Sequence, residues 1–172
     1  MHLLETSGLT KRFGGLTVMN DLDFSMEEGE IKGFLGPNGA GKSTFFNLIT
    51  GVLTPSSGHI FYAGKEITKS RPHQVAKMGI GRTFQLNPLF GEFTVFENVA
   101  AAYHLRPHST VPQIFFNTKT YRTNEAYIAK SADEILEFLG LQHVRNELAK
   151  NLPHGYQKIL GVARALATKP KL

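Results

Sequence analysis

Gly36-Pro37-Asn38-Gly39-Ala40-Gly41-Lys42-Ser43-Thr44 is the stretch that decides how this chain is read. It satisfies G-x-x-x-x-G-K-[ST] at every position, the pattern of a loop that cradles phosphates. A polyphosphate needs several donors aimed at one small volume, so the backbone must curl tightly around it. Gly36, Gly39 and Gly41 permit that curl, and the curled amides form an anion-binding nest. A helix starting near Ser43 adds the partial positive charge of its N-terminus. Lys42 supplies a compact cation for β- and γ-phosphates, and the Ser43 hydroxyl suits Mg²⁺. The bland alternative is a glycine-rich turn between two core elements, and the flanks speak against it. Glu30-Ile31-Lys32-Gly33-Phe34-Leu35 predicts a strand entering the loop. Thr44 to Thr50 predicts a helix, with Gly51 at its C-terminal cap. Strand, glycine loop, helix is the order such a site requires.

The bulk properties narrow the class. With 172 residues, 41% hydrophobic and 19% charged, the chain suits one soluble domain with a real core. It has no cysteine, which excludes disulfides and thiolate metal sites. No apolar run approaches the ~20 residues of a membrane span, and Met1-His2-Leu3-Leu4-Glu5 lacks the shape of a secretory signal. A cytoplasmic location is the expectation. The net charge of +5 favours anionic partners, but no dense Lys/Arg cluster points to nucleic acid.

Ahead of the loop, Leu4 to Lys11 and Thr17 to Met26 carry strand-like segments around a turn at Phe13-Gly14-Gly15. An aromatic face at Phe13 can stack on a base, although residue type alone favours a packed hydrophobe. After the loop helix come a short strand at His59-Ile60-Phe61-Tyr62, a turn at Ala63-Gly64-Lys65, a short helix from Pro72 to Met78, and a strand at Gly79 to Phe84. Gln85 sits just past that strand's carboxyl end, where open α/β sheets face their ligands. It is thus placed to touch Mg²⁺ or a water near a γ-phosphate, and a solvated loop amide is the plainer alternative.

From Leu86 the composition shifts towards crowded apolar residues. Thr94 is predicted to cap a helix reaching about His104, with Glu97 at the capping-box position. Residues 105–123 read as an irregular excursion, pinned to the body by Ile114-Phe115-Phe116. Asn124 is predicted to cap an amphipathic helix that carries Ile128, Ile135, Leu136 and Leu139 on one face and stops at Gly140. No metal site is assigned to the seven histidines, since Pro107 separates His104 from His108. Asn151 to Lys158 leads into a last helix holding Ile159, Leu160, Val162, Ala163, Leu166 and Ala167. Pro153 fits its first turn, which leaves a second helix N-terminus able to seat an anion; an ordinary capped helix is the alternative.

Together these residues resemble the ATP-binding subunit of ABC transporters, from Gly8-Leu9-Thr10-Lys11-Arg12-Phe13-Gly14-Gly15 to Pro170-Lys171-Leu172. Gly79-Ile80-Gly81-Arg82-Thr83-Phe84-Gln85 followed by Phe93-Thr94-Val95-Phe96-Glu97-Asn98-Val99 is similar to the branched-chain amino-acid importers, with urea-type importers as close relatives. The resemblance implies an α/β fold: a P-loop NTPase of the ABC type, with an N-terminal antiparallel β region and a helical subdomain. It implies three parts: residues 1–85 up to the Q-loop, a helical subdomain at 86–140, and a signature segment with its helix at 141–172. It implies ATP and Mg²⁺ as ligands. Phe13 would be the adenine platform, with Val18 and the loop residues Gly36, Pro37, Asn38, Gly39, Ala40, Gly41, Lys42, Ser43 and Thr44 contacting the nucleotide. Lys42 and Gln85 would serve catalysis, and Ser43 and Gln85 would hold the metal. Pro153, His154, Gly155 and Tyr156 would meet the ATP of a second ATP-binding subunit, while residues near 86–100 would dock on the permease. The whole would sit peripherally on the inner face of the cell membrane.

The chain departs from the family pattern twice. Pro153 and His154 stand where the signature has serine and glycine, and Tyr156 where it has glutamine. The resemblance also places Leu172 just before the aliphatic strand that carries the Walker B aspartate and the catalytic glutamate. The expectation is therefore the N-terminal portion of a longer ATPase, with apolar surface exposed for want of a neighbouring strand. Two other classes stay in view. One is a nucleotide-binding module without catalysis. The other is an ABC-type ATPase of DNA repair or chromosome maintenance, for which the sequence shows neither a coiled coil nor a zinc insertion.

Overall fold

The computed structural model describes residues 2–84, 89–103 and 110–172. The chain divides into two compact units, Met1–Met78 and Gly79–Leu172.

The first unit is built on a four-stranded antiparallel sheet in the order β2-β1-β3-β4. Strands β1 (His2–Phe13) and β2 (Leu16–Glu27) form a long hairpin closed at Gly14-Gly15, with Phe13 opposite Leu16. On its other side β1 pairs with β3 (Ser57–Tyr62), which turns at Ala63-Gly64 into the two-residue β4 (Lys65–Glu66). Both turn residues have positive φ, 48° and 75°, the backbone that suits a two-residue hairpin. Leu4, Leu9, Ile60 and Tyr62 are buried on the sheet, and Phe45, Leu48 and Ile49 on helix α1 (Lys42–Ile49). Helix α2 (Pro72–Met78) buries Val75.

Two expected strands are not formed. Residues 30–37 run irregularly into the loop, and Ile31 and Leu35 are each 98% exposed. A parallel strand depends on neighbours beside it and cover on both faces. This segment is held by side chains instead. Phe34 packs among Phe24, Phe45 and Phe46 at centroid distances of 5.1, 4.4 and 5.8 Å. Lys32 reaches the Ser25 carbonyl and lies 5.3 Å over the Phe24 ring. Residues 79–84 likewise form no strand. Their backbone pairing is short: the Gly79 carbonyl accepts from Lys171 N–H at 2.7 Å, and Gly81 N–H donates to the Leu172 carbonyl at 2.6 Å.

The second unit is helical. Helix α3 (Val95–Tyr103) starts at the expected capping box: Thr94 Oγ1 accepts from Glu97 N–H, and the Glu97 carboxylate accepts from Thr94 N–H at 2.8 Å. Within the excursion expected at 105–123, two helical segments are formed. Helix α4 (Val111–Phe115) has its own capping box, from Thr110 and Gln113, with Pro112 in the first turn. Helix α5 (Lys119–Phe138) is capped by Thr118 rather than Asn124. Ile114, Phe115 and Phe116 are exposed, so they do not pin this stretch to the body. Two 3-10 turns, at Gln142–Val144 and Ala149–Asn151, lead to helix α6 (His154–Ala167). The core joins Val95, Val99, Ile128, Ala132, Leu136, Leu160 and Ala163, so α6 shares its interior with α3 and α5.

Two polar devices fix this core. Asn98 is fully buried: Phe90 N–H donates to its Oδ1 at 3.0 Å, and its Nδ2 donates to the carbonyls of Phe90, Phe93 and Thr94. Arg145 forks onto Asp133 at 2.7 and 3.3 Å while its guanidinium lies 3.9 Å over the Phe96 ring. Replacing Asn98 by Ala leaves the Phe90 N–H without its acceptor and takes the second donor from three carbonyls, so Asn98→Ala should lower stability by about 1–3 kcal/mol in a urea titration. The Thr94 amide and hydroxyl hold the Glu97 carboxyl below its ordinary value of 4.5. A depressed carboxylate contributes stability above its unfolded pKa and loses it as pH falls through the folded one. The stability gap between the wild type and Glu97→Gln should therefore be present at pH 6 and close in acid, as melts across that range would measure.

Candidate functional site

The glycine loop lies between the irregular segment at 30–37 and α1. Gly41 is the N-cap of α1 with φ 82° and ψ 2°, a left-handed conformation, and Gly39 has φ 87°. At Gly41 the restriction is also steric: an added Cβ would lie 3.1 Å from the Val18 carbonyl oxygen and 3.4 Å from its Cγ1. Val18, on β2, thus forms the wall against which the loop turns into the helix. The turn closes locally through Ala40 N–H donating to Pro37 O at 3.2 Å and Phe45 N–H to Gly41 O at 2.9 Å. Below it, the rings of Phe24 and Phe45, 5.2 Å apart, tie the first buried helical turn to β2.

The Lys42 ammonium bends back over the loop and donates to the carbonyls of Gly36 at 2.6 Å and Pro37 at 2.7 Å. Its charge therefore sits on the solvent-exposed curve of the loop. Pro37, Asn38, Gly39, Ala40 and Ser43 are exposed, and Thr44 is half-buried in the first turn of α1. Chemically this is a tight main-chain bend opening at a helix start, with one cation and one hydroxyl at its rim. It suits an anion carrying several oxygens.

Phe13 ends β1 and is 46% exposed, so it is not a core side chain; the Lys11 ammonium lies 5.1 Å from its ring centroid. Gln85 lies outside the described residues. In the other unit Pro153 is the N-cap of α6, one position before the first turn, and His154 and Gly155 are exposed at the helix start. Gln157 Nε2 donates to the Leu152 carbonyl at 3.0 Å. The Tyr156 ring meets His143 edge-on at 5.4 Å. Among the described residues no cluster of three His, Asp or Glu could hold a metal, and no helix is long and apolar enough to cross a membrane.

The Val18 contact is the part that the loop motif alone does not reveal. The motif asks for glycine at position 41, but only the fold says which atom crowds a side chain there. Replacing the two loop glycines separates backbone strain from collision. Gly39→Ala adds a Cβ in open space and should cost about 1 kcal/mol. Gly41→Ala adds the Val18 clash to the same strain and should cost about 2–3 kcal/mol, both read from thermal melts.

Comparison with known proteins converges on one group. The family described as "ABC transporter" matches residues 19–172. The high-affinity branched-chain amino acid transport ATP-binding protein BraF of Pseudomonas aeruginosa is 38% identical over 99% of this chain and 67% of its own length. The corresponding protein LivG of Escherichia coli is 36% identical with the same coverage. Among solved structures, an ATP-binding cassette of an ABC transporter superposes with a TM-score of 0.81 at 34% identity, over 99% of this chain and 66% of that one. The ADP conformation of such a cassette gives 0.79 at 35% identity, with the same coverage. The chain thus spans about two thirds of the length of these relatives. Loop, sheet, helical unit and similarity all agree that this chain belongs to the ABC transporter family.

Proposed function

We propose that these residues form the nucleotide-binding part of an ATPase subunit that drives import of branched-chain amino acids. One observation carries this reading: a phosphate-loop geometry in which the left-handed backbone and the Val18 carbonyl favour glycine at position 41, within a chain similar along nearly all its length to proteins named for that transport. The residues fit ATP with Mg²⁺. The curled amides from Gly36 to Gly41 and the start of α1 would receive the phosphates. Lys42 would exchange its two carbonyl acceptors for β- and γ-phosphate oxygens, a stronger, charge-assisted pairing. Ser43 and Gln85 would hold Mg²⁺, which when bound neutralises the phosphate charge. Phe13, exposed at the end of β1, would lie against the adenine, with Val18 beside the loop.

Phosphoryl transfer in such sites rests on positioning and charge stabilisation. In this reading Lys42 and Gln85 contribute to both, and Pro153, His154, Gly155 and Tyr156 meet the nucleotide of a second ATP-binding subunit. Pro153 and His154 offer no hydroxyl, so contact there would fall to the exposed amides of His154 and Gly155. That departure supports a second reading for these 172 residues: nucleotide binding without turnover. The subunit would work in the cytoplasm, peripheral to the membrane, with residues near 86–100 against the permease.

In the complete subunit, assembled with its permease, Lys42→Ala should lower ATP turnover by at least about a hundredfold. Turnover that survives the change would remove the loop assignment. Mg-ATP hydrolysis by the 172-residue chain alone would remove the second reading.

A further inference from the structure

Helix α4 and the start of α5 present a surface that nucleotide binding does not use. The Thr110–Gln113 capping box fixes the short helix. Asn117, at φ 46°, and the Thr118 cap turn the chain directly into α5, with Thr118 N–H donating to Gln113 O at 3.1 Å. On this ordered backbone Val111 is 79%, Ile114 49%, Phe115 81% and Phe116 73% exposed. The two rings meet edge to face at 5.2 Å, so they shield each other only in part. Single exposed apolar residues are ordinary; a run of four on a capped turn is not.

The charges next to the patch in the chain are cationic, and the first acid after it is Glu125, about one turn beyond Arg122. Lys119 and Arg122 are exposed and three apart on α5, on one side of that helix and next to the phenylalanines in the chain. From Asn98 through Asn124 the sequence contains no aspartate or glutamate. Aromatic and aliphatic side chains backed by cations, with no acid among them, match the interface of a bilayer that carries anionic lipid. We propose that Val111, Ile114, Phe115 and Phe116 insert into the headgroup boundary of an anionic membrane, with Lys119 and Arg122 on its phosphates. The proposal does not depend on the nucleotide reading.

The test is flotation of the chain with vesicles of phosphatidylcholine alone and of phosphatidylcholine mixed with phosphatidylglycerol, without nucleotide. The chain should partition onto the mixed vesicles and leave them as salt is raised. The double variant Phe115→Ser/Phe116→Ser should reduce that partition about tenfold or more. Lys119→Gln and Arg122→Gln should each reduce it about fivefold, on the mixed vesicles only. All four positions are exposed, so the variants should keep the wild-type melting temperature. Equal partition onto both vesicles, no partition, or an unchanged double variant would overturn the proposal. So would self-association in place of vesicle binding that the phenylalanine changes abolish. A failed Lys42→Ala test would leave these outcomes untouched.

Discussion

Four phenylalanines hold the phosphate-type loop in place. Phe24 comes from β2, Phe34 from the irregular approach, and Phe45 and Phe46 from α1, with neighbouring centroids between 4.4 and 5.9 Å. Tilted and edge-on ring contacts of this kind exceed the value of their buried area alone. The cluster substitutes for the strand ladder that the approach segment does not form. It brings β2 close enough to α1 for the Val18 carbonyl to stand over Gly41. The curvature of the loop is therefore set from beneath by hydrophobic packing and from the side by a main-chain oxygen. Both constraints act before any charge is considered.

The helical unit uses the opposite strategy at its centre. Its apolar core is ordinary, but its connections are fixed by polar groups that are fully satisfied: the buried Asn98 amide, and the capping boxes at Thr94 and Thr110. Buried or terminal polar groups cost stability when unpaired and specify geometry when paired. Asn98 binds both ends of the Phe90–Thr94 turn, so the entry to α3 cannot slide without breaking several bonds at once.

How much of this was legible follows from where each signal resides. The β1–β2 hairpin, β3, α2, the Thr94 capping box and the stripe of α5 are encoded locally, and they appear where the residues predict. The strands expected at 30–35 and 79–84 do not, because a strand is completed by its neighbours and composition cannot report them. Helix α4 was hidden by Pro112, which reads as a breaker in the middle of a loop and as a helper in the first turn of a helix; the Thr110–Gln113 pair was the overlooked cue. Helix α5 begins at Lys119 and not after Asn124 because Thr118 supplies the cap, its Oγ1 accepting from Tyr121 N–H. The pinning role expected of Ile114, Phe115 and Phe116 failed because apolar character says what a side chain would bury, not that a surface is there to receive it. At the site, the loop pattern carried the glycine requirement, whereas the facing atom from Val18 needed the third dimension.

Arg145 shows how orientation is passed along the chain. Its flat guanidinium uses its edge for Asp133 and its face for Phe96, so the two contacts do not compete. A flexible ammonium in its place would set a distance; this fork and stack also set an angle. The 3-10 turn that follows, Ala149–Asn151, is thereby kept from swivelling, and Leu152 enters the interior along one bearing. The exposed start of α6 is in effect aimed from a remote lever, and its heading is inherited from α3 and α5 rather than chosen by its own sequence.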